Sequence, residues 1–154
     1  MSRRWRVLLP LALLAGGVGG CSDGKVKEAN TYVNAVNAAQ GTFAQQSEKL
    51  MAQITPDSAP KRDRAVLEEF YAAVDGFVVK LRAIKPPARV KTLHEKLIAA
   101  MVRFGNSLRS AGSDITSGNA GKILDGQSKL AKATESVSKA INATISAIND
   151  ALKA

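Results

Sequence analysis

The apolar residues between positions 25 and 153 recur three and four residues apart, which is the spacing of one face of an α-helix. Proline or glycine interrupts this spacing at residues 56–60, at Pro86 and Pro87, and at Gly118. Such residues interrupt helices because proline lacks a backbone N–H and glycine readily adopts left-handed conformations. The pattern therefore predicts four helices, over residues 25–54, 59–85, 87–116 and 120–153.

Residues at the three breaks also suit helix ends. Ser58 is a good N-cap for the second helix, because its hydroxyl can accept a bond from a free backbone N–H. Pro87 is tolerated in the first turn of the third helix. We expect Gly118 to stop that helix and Asn119 to cap the fourth.

Helices of similar length that are joined by short loops pack against their chain neighbours in antiparallel fashion. Each predicted helix is on the order of 40 Å long. The predicted fold class is therefore all-α, an up-down-up-down four-helix bundle. Its expected core residues are Ala29, Tyr32, Val36, Ala39, Phe43, Leu50, Leu67, Phe70, Val74, Phe77, Leu81, Ile84, Val90, Leu93, Leu97, Met101, Phe104, Leu108, Ile115, Ile123, Gln127, Leu130, Thr134, Val137, Ile141, Ile145, Ile148 and Leu152.

Five glycines lie inside the predicted helices, at positions 41, 76, 105, 112 and 126. Each costs about 1 kcal/mol of helix stability relative to alanine. They could allow close helix contact, leave space for a ligand, or simply be tolerated on the surface. Surface tolerance is the interpretation that we favour.

Residues 1–20 have the three parts of a secretory signal peptide. Arg3, Arg4 and Arg6 precede an apolar run over 7–15 and small residues up to Gly20. The run is too short for a permanent membrane span, which needs about 20 apolar residues. We therefore expect residues 1–20 to direct export and to be removed. The paired arginines leave open whether the general secretory or the twin-arginine route is used.

The segment Val18-Gly19-Gly20-Cys21 resembles the lipobox of bacterial prolipoproteins. This resemblance implies that Cys21 receives a diacylglyceryl group on sulfur and becomes the first residue of the mature protein. Two acyl chains hold a protein stably on a membrane. The expected organisation is a lipidated tether over 21–27 and a bundle domain over 28–154, on the extracytoplasmic side of the cell membrane.

Composition supports a basic exported protein without disulfides. The chain has a net charge of +9, and it retains +6 once Arg3, Arg4 and Arg6 are lost with the leader. Cys21 is the only cysteine, so no disulfide can form within the chain. Anionic lipid headgroups or envelope polymers are the expected partners of such a charge, and export argues against nucleic acid.

The candidate chemistry is sparse. His94 is the only histidine, and its neighbours Leu93 and Leu97 are core positions, so we expect it to border the core, half exposed. A helical di-iron site needs a Glu-x-x-His pair, but Lys91 occupies the glutamate position. No Gly-x-Ser-x-Gly elbow is present either. We therefore expect no catalytic residue, no metal and no cofactor.

Basic residues cluster in the predicted hairpin between the second and third helices, which returns to the bundle end nearest Cys21. We expect this cluster to rest on anionic headgroups at the membrane, and the alternative is an ordinary solvated face. The opposite end, at residues 55–61 and 117–121, would then face outward toward a partner. The hairpin cations are Lys80, Arg82, Lys85, Arg89 and Lys91, joined by Lys25 and Lys27 of the tether and Lys153 of the tail.

The segment from Ile84 to Leu97, with its Lys-Pro-Pro and Leu-His pairs, is similar to small helical lipoproteins of high-GC bacteria. This resemblance brings no activity with it. The expected function is a membrane-anchored, non-enzymatic helical module for interaction or envelope support, with an unidentified protein partner. The alternative is a carrier that holds a small apolar ligand between its helices.

Overall fold

The computed structural model describes residues 23–53 and 60–153. Four α-helices follow one another: α1 is Asp23–Met51, α2 is Pro60–Ala83, α3 is Lys91–Ile115 and α4 is Ala120–Lys153. A short 3₁₀-helix, Ala88–Val90, precedes α3, and the described residues contain no strand. The predicted all-α four-helix fold is therefore confirmed.

Side-chain contacts fix the direction of the first two helices. Tyr32, early in α1, meets His94, which also bonds to the carbonyl of Leu81 late in α2. Phe43, further along α1, instead contacts Phe70 in the earlier part of α2, with ring centroids 6.3 Å apart. Later residues of α1 therefore contact earlier residues of α2, so the two helices are antiparallel.

The remaining pairs alternate in the same way. Arg64 at the start of α2 donates to the carbonyl of Thr116 just after α3, whereas the other ends of these helices meet at Leu81 and His94. Lys129 near the start of α4 pairs with Asp114 at the end of α3. The end of α4 packs on the 3₁₀-helix. The topology is therefore up-down-up-down.

The observed helix ends differ from the predicted ones by a few residues. α1 begins at Asp23, so residues 23–27 are helical, and α2 stops at Ala83 because Pro86 and Pro87 follow. Pro87 opens the 3₁₀-helix, and α3 itself begins only at Lys91. Ser58, the expected N-cap of α2, lies outside the described residues.

The break between α3 and α4 follows the sequence prediction. Gly118 has a positive φ of 75°, a conformation that glycine adopts without the steric penalty of a side chain. The Asn119 side-chain oxygen accepts a bond from the backbone N–H of Lys122 at 3.1 Å. Asn119 therefore caps α4 as expected, and the glycine reverses the chain.

One hydrophobic core runs through all four helices, and most of the predicted core positions are buried in it. Phe43, Phe70 and Phe104 pack against this core while only partly buried, and Gln127 is exposed. The buried core residues are Ala29, Tyr32, Val33, Val36, Ala39, Val74, Phe77, Val78, Leu81, Val90, Leu97, Ala100, Met101, Leu108, Val137, Ile141, Ile145, Ile148 and Leu152.

Three of the five helix-interior glycines lie at close helix contacts, so surface tolerance is the wrong interpretation for them. A Cβ on Gly105 would lie 3.3 Å from Val74 of α2, and one on Gly112 would collide with the Tyr71 hydroxyl. A Cβ on Gly126 would lie 2.8 Å from the backbone oxygen of Ala111. These glycines bring α3 close to its neighbours, which helical periodicity alone cannot reveal.

The other two glycines do fit surface tolerance. Gly41 and Gly76 are exposed, and a Cβ on either would meet nothing within 4 Å. Neither residue is needed for a turn or for a helix contact.

This contrast predicts opposite effects of one substitution. Gly126→Ala should lower the free energy of unfolding by about 1–3 kcal/mol, because the added methyl group meets fixed backbone of α3. Gly41→Ala should raise it by about 1 kcal/mol, because alanine favours the helix and finds open space. Urea unfolding followed by circular dichroism measures both. A stabilising Gly126→Ala would show that α3 and α4 are not in close contact.

Candidate functional site

The candidate site is the end of the bundle where α2 turns into α3, here called the hairpin end and defined by residues 80–94. α1 begins at this end, because Tyr32 in its third turn reaches His94. The last turns of α4 also lie here, since α4 packs against the 3₁₀-helix at Ala88–Val90. The start of the described chain, the hairpin and the C-terminal helix therefore meet at one end.

The hairpin end carries a dense group of exposed cations: Lys80, Arg82, Lys85, Arg89 and Lys91. No described carboxylate pairs with any of them. Residues 76–94 contain no aspartate or glutamate at all. The structure thus brings the predicted basic residues together and leaves their charges uncompensated by direct partners.

Three further cations of the predicted set lie at the same end. Lys25 and Lys27 are exposed in the first turns of α1, and Lys153 is exposed in the last turn of α4. Exposed carboxylates are present about a turn further along their helices, at Glu28, Glu95 and Asp150. The net field at the hairpin end is therefore positive, and it would be strongest at short range because salt screens it beyond about 8 Å.

His94, in the first turn of α3, is buried, with only 3% of its surface exposed. The expectation that it would be half exposed is therefore wrong. Its Nε2 lies 2.9 Å from the carbonyl oxygen of Leu81, near the C-terminal end of α2. A carbonyl can only accept, so Nε2 carries the proton and donates to an oxygen that also accepts a bond from the backbone N–H of Ile84.

The second ring nitrogen of His94 is also engaged. The Tyr32 hydroxyl lies 3.1 Å from Nδ1 and donates to it, because Nδ1 of this tautomer carries no proton. The two rings meet edge to face with centroids 5.6 Å apart. His94 therefore joins α1, α2 and α3 and has no nitrogen left for a proton transfer or a metal.

Burial raises the pKa of Tyr32 to about 12. Ionising this hydroxyl would place a negative charge in the core and remove the proton that it donates to His94. The Tyr32–His94 bond could not be found from sequence, because its partners are 62 residues apart. Within the described part of the chain, no three His, Cys, Asp or Glu residues come close enough together to hold a metal ion.

At the opposite end, an open pocket of about 340 Å³ lies between α2 and α3 and is lined by Arg64, Tyr71 and Arg109 among others. Arg109 pairs with Asp75, and its guanidinium lies 5.7 Å from the centre of the Tyr71 ring. Burial, followed by the charge of Glu68, raises the pKa of Tyr71, and Arg109 partly opposes this. Residues 117–121 are exposed beside this pocket, whereas residues 54–59 lie outside the described chain.

Cys21, the predicted lipidation site, also lies outside the described residues, as do residues 1–20. None of the helices in residues 23–53 and 60–153 is both long and apolar enough to cross a membrane.

Comparisons of the chain with protein-family models, with curated proteins and with solved structures found no match.

The raised pKa of Tyr32 predicts a specific titration. The chain has two tyrosines, so in a Tyr71→Phe variant the tyrosinate absorbance reports Tyr32 alone. We expect it to titrate near pH 12 in the folded protein and near pH 10.0 once the protein is unfolded in urea. A folded-state midpoint near pH 10 would show that Tyr32 is open to water.

The same pKa predicts how stability depends on pH. Above pH 10.0 the unfolded chain releases the Tyr32 proton, whereas the folded chain holds it until about pH 12. The contribution of Tyr32 to the free energy of unfolding is therefore fully present below pH 10. It falls by up to about 1.4 kcal/mol per pH unit above pH 10. In Tyr32→Phe this contribution to the slope should disappear, and urea unfolding across this interval measures the difference. Equal slopes in the two proteins would contradict the assignment.

Proposed function

We propose that this chain is an exported lipoprotein, anchored to the membrane through Cys21, whose four-helix bundle is a non-enzymatic module for interaction or envelope support. The observation that carries the proposal is the position of the unpaired cations. They lie at the end of the bundle where α1 begins, and α1 begins only two residues after Cys21.

The connection between Cys21 and α1 is short, so a lipid on Cys21 would lie close to this end of the bundle. Two residues span at most about 7 Å of extended chain, which is less than the screening length in physiological salt. An acylated Cys21 would therefore hold the start of α1 close to the headgroups, and Arg82, Lys85 and Arg89 lie at the same end of the bundle. Each basic residue near an anionic surface contributes about 1 kcal/mol. The acyl chains would supply the anchor, and the cations would orient the bundle on it.

The chemistry of His94 supports a non-enzymatic role. Both ring nitrogens of His94, the only histidine of the chain, form hydrogen bonds within the bundle. The ring could act as a base only if one of these bonds were broken. In the proposed orientation, the pocket between Arg64, Tyr71 and Arg109 points away from the membrane. Its two guanidinium groups and aromatic ring would be the contact surface for a protein or an envelope polymer.

A second candidate function, a carrier for a small apolar ligand, is favoured by one observation. A groove of about 530 Å³ runs between α1 and α2, and its floor includes the stacked rings of Phe43 and Phe77, with centroids 5.0 Å apart. Gly76 leaves open space in its wall. This groove, rather than the closely packed glycines of α3, would be the place for such a ligand.

Native mass spectrometry of the full-length protein, purified gently from its own membranes, tests the anchor and separates the two functions. We expect the mass of the chain from Cys21 onward plus acyl groups, and Cys21→Ser should abolish both the cleavage and the acylation. A mature chain without acyl groups would refute the lipoprotein proposal. An additional small-molecule mass on the folded bundle would make the carrier the better proposal.

Liposome binding of an unlipidated form tests the orientation. Charge reversal of Arg82, Lys85 and Arg89 to glutamate should weaken binding to anionic vesicles by about a hundredfold or more, because three contributions of about 1 kcal/mol are lost. The binding should also weaken as salt is added.

The matched control for this experiment reverses three exposed, unpaired lysines at the other end, Lys49, Lys61 and Lys122. The net charge changes by the same amount, so a non-specific effect of charge would weaken both variants equally. Equal loss in the two variants would contradict the proposed orientation while leaving the anchor untouched.

A further inference from the structure

The inner face of α1 carries polar groups that the bundle does not satisfy. Gln40 is only 7% exposed, yet neither its amide nitrogen nor its amide oxygen has a hydrogen-bond partner. The hydroxyl oxygen of Ser47, seven residues on and therefore on the same face, is also buried without one. In the described chain, no helix other than α1 carries a buried side-chain nitrogen or oxygen in this condition.

Such groups are expensive. A buried donor or acceptor without a partner costs about 1–3 kcal/mol, because it has lost its bonds to water and gained none. The amide of Gln40 can donate two bonds and accept two, so it bears a large share of this penalty. Any movement that lets water reach Gln40 and Ser47 would recover part of it.

The packing of α1 would permit this movement. Its backbone lies close along α2 and has no comparable approach to α3 or α4, whereas α3 and α4 are tightly packed where Gly126 meets the backbone of Ala111. Gly41 follows Gln40 directly and weakens the middle of α1, since it contacts nothing that would compensate for its low helix propensity.

The two halves of α1 differ in how they are held. In the N-terminal half, the buried Tyr32 hydroxyl is bonded to His94 of α3. In the C-terminal half, residues 40–51, the contacts with α2 are apolar and include the stacking of Phe43 on Phe77. No hydrogen bond or ion pair joins the described side chains of this half to another helix.

We infer that the C-terminal half of α1, residues 40–51, is a lid that opens from the bundle as a unit while the Tyr32–His94 bond holds the N-terminal half in place. Opening hydrates Gln40 and Ser47 and uncovers the Phe77 side of α2. The closed form keeps the apolar contacts, and the open form relieves the unsatisfied amide. This inference does not depend on the membrane anchor.

Hydrogen exchange followed by mass spectrometry tests the lid on the full-length chain with Cys21→Ser. Peptides from residues 40–51 should exchange at least tenfold faster than peptides from α3 and from residues 29–36, and low concentrations of urea should change their rates little. If all of these peptides exchange together through global unfolding, no separate lid exists.

A matched pair of substitutions ties the opening to the buried amide. Gln40→Leu removes the unsatisfied group and should slow exchange of residues 40–51 about tenfold, leaving α3 and α4 unchanged. Gln45→Leu makes the same replacement at an exposed position of α1 and should have no such effect. Equal effects of the two variants would overturn the inference. Gln40→Met, which is closer in shape, repeats the test if leucine prevents folding.

A third variant tests where the opening stops. Tyr32→Phe removes the bond to His94 and should extend the fast exchange from residues 40–51 to residues 29–36. If residues 29–36 keep their slow exchange in this variant, the Tyr32–His94 bond is not what holds the N-terminal half.

Discussion

The hydrogen bonds of His94 join three helices at a single buried point, and the geometry of the hairpin end depends on them. Leu81 supplies a carbonyl near the end of α2, Tyr32 supplies a hydroxyl from α1, and the ring lies in the first turn of α3. A neutral imidazole can satisfy both partners because it has one donor and one acceptor nitrogen. Fixing these helices also fixes the backbone that carries Arg82, Lys85 and Arg89. These cations therefore lie on a connection whose two ends are held in place.

A stable anchor and a weaker electrostatic attachment acting together would explain the arrangement of the molecule better than either alone. Acyl chains on Cys21 would hold the protein at the membrane but leave its orientation free, and exposed cations alone would bind weakly in physiological salt. When both lie at the same end, the inserted acyl chains keep the cations close to the headgroups. The effective concentration of the cations at the membrane is then high, because the connection is short. The proposed function therefore rests on their being at one end, which is a property of the topology.

The sequence predicts the features that depend on local spacing and misses those that depend on a distant partner. The four helices, Gly118 and Asn119 follow from apolar periodicity and from the backbone preferences of glycine and asparagine, which act within a few residues. The burial of His94 does not follow, because it requires the Tyr32 hydroxyl, 62 residues away. The sequence likewise does not tell the contact glycines of α3 and α4 from the surface glycines, because the contacts are with residues of another helix.

The hairpin cations are only partly predictable from the sequence. Their number and their place in the chain are evident from the sequence, since residues 76–94 contain no acidic residue. Whether carboxylates of another helix neutralise them depends on how the helices face each other. The structure answers this for the described residues, in which the ion pairs lie elsewhere, as at Arg109 with Asp75 and Lys129 with Asp114.

The close contact between α3 and α4 has a consequence for how the chain folds. The two helices are consecutive and are joined by residues 116–119 only, so their contacts form at a small cost in loop-closure entropy and should form early. If export uses the general secretory route, one of the two that the paired arginines leave open, the chain crosses the membrane unfolded and the start of the mature part crosses first. The helix pair expected to form earliest, α3 with α4, would then be the last part of the chain to cross.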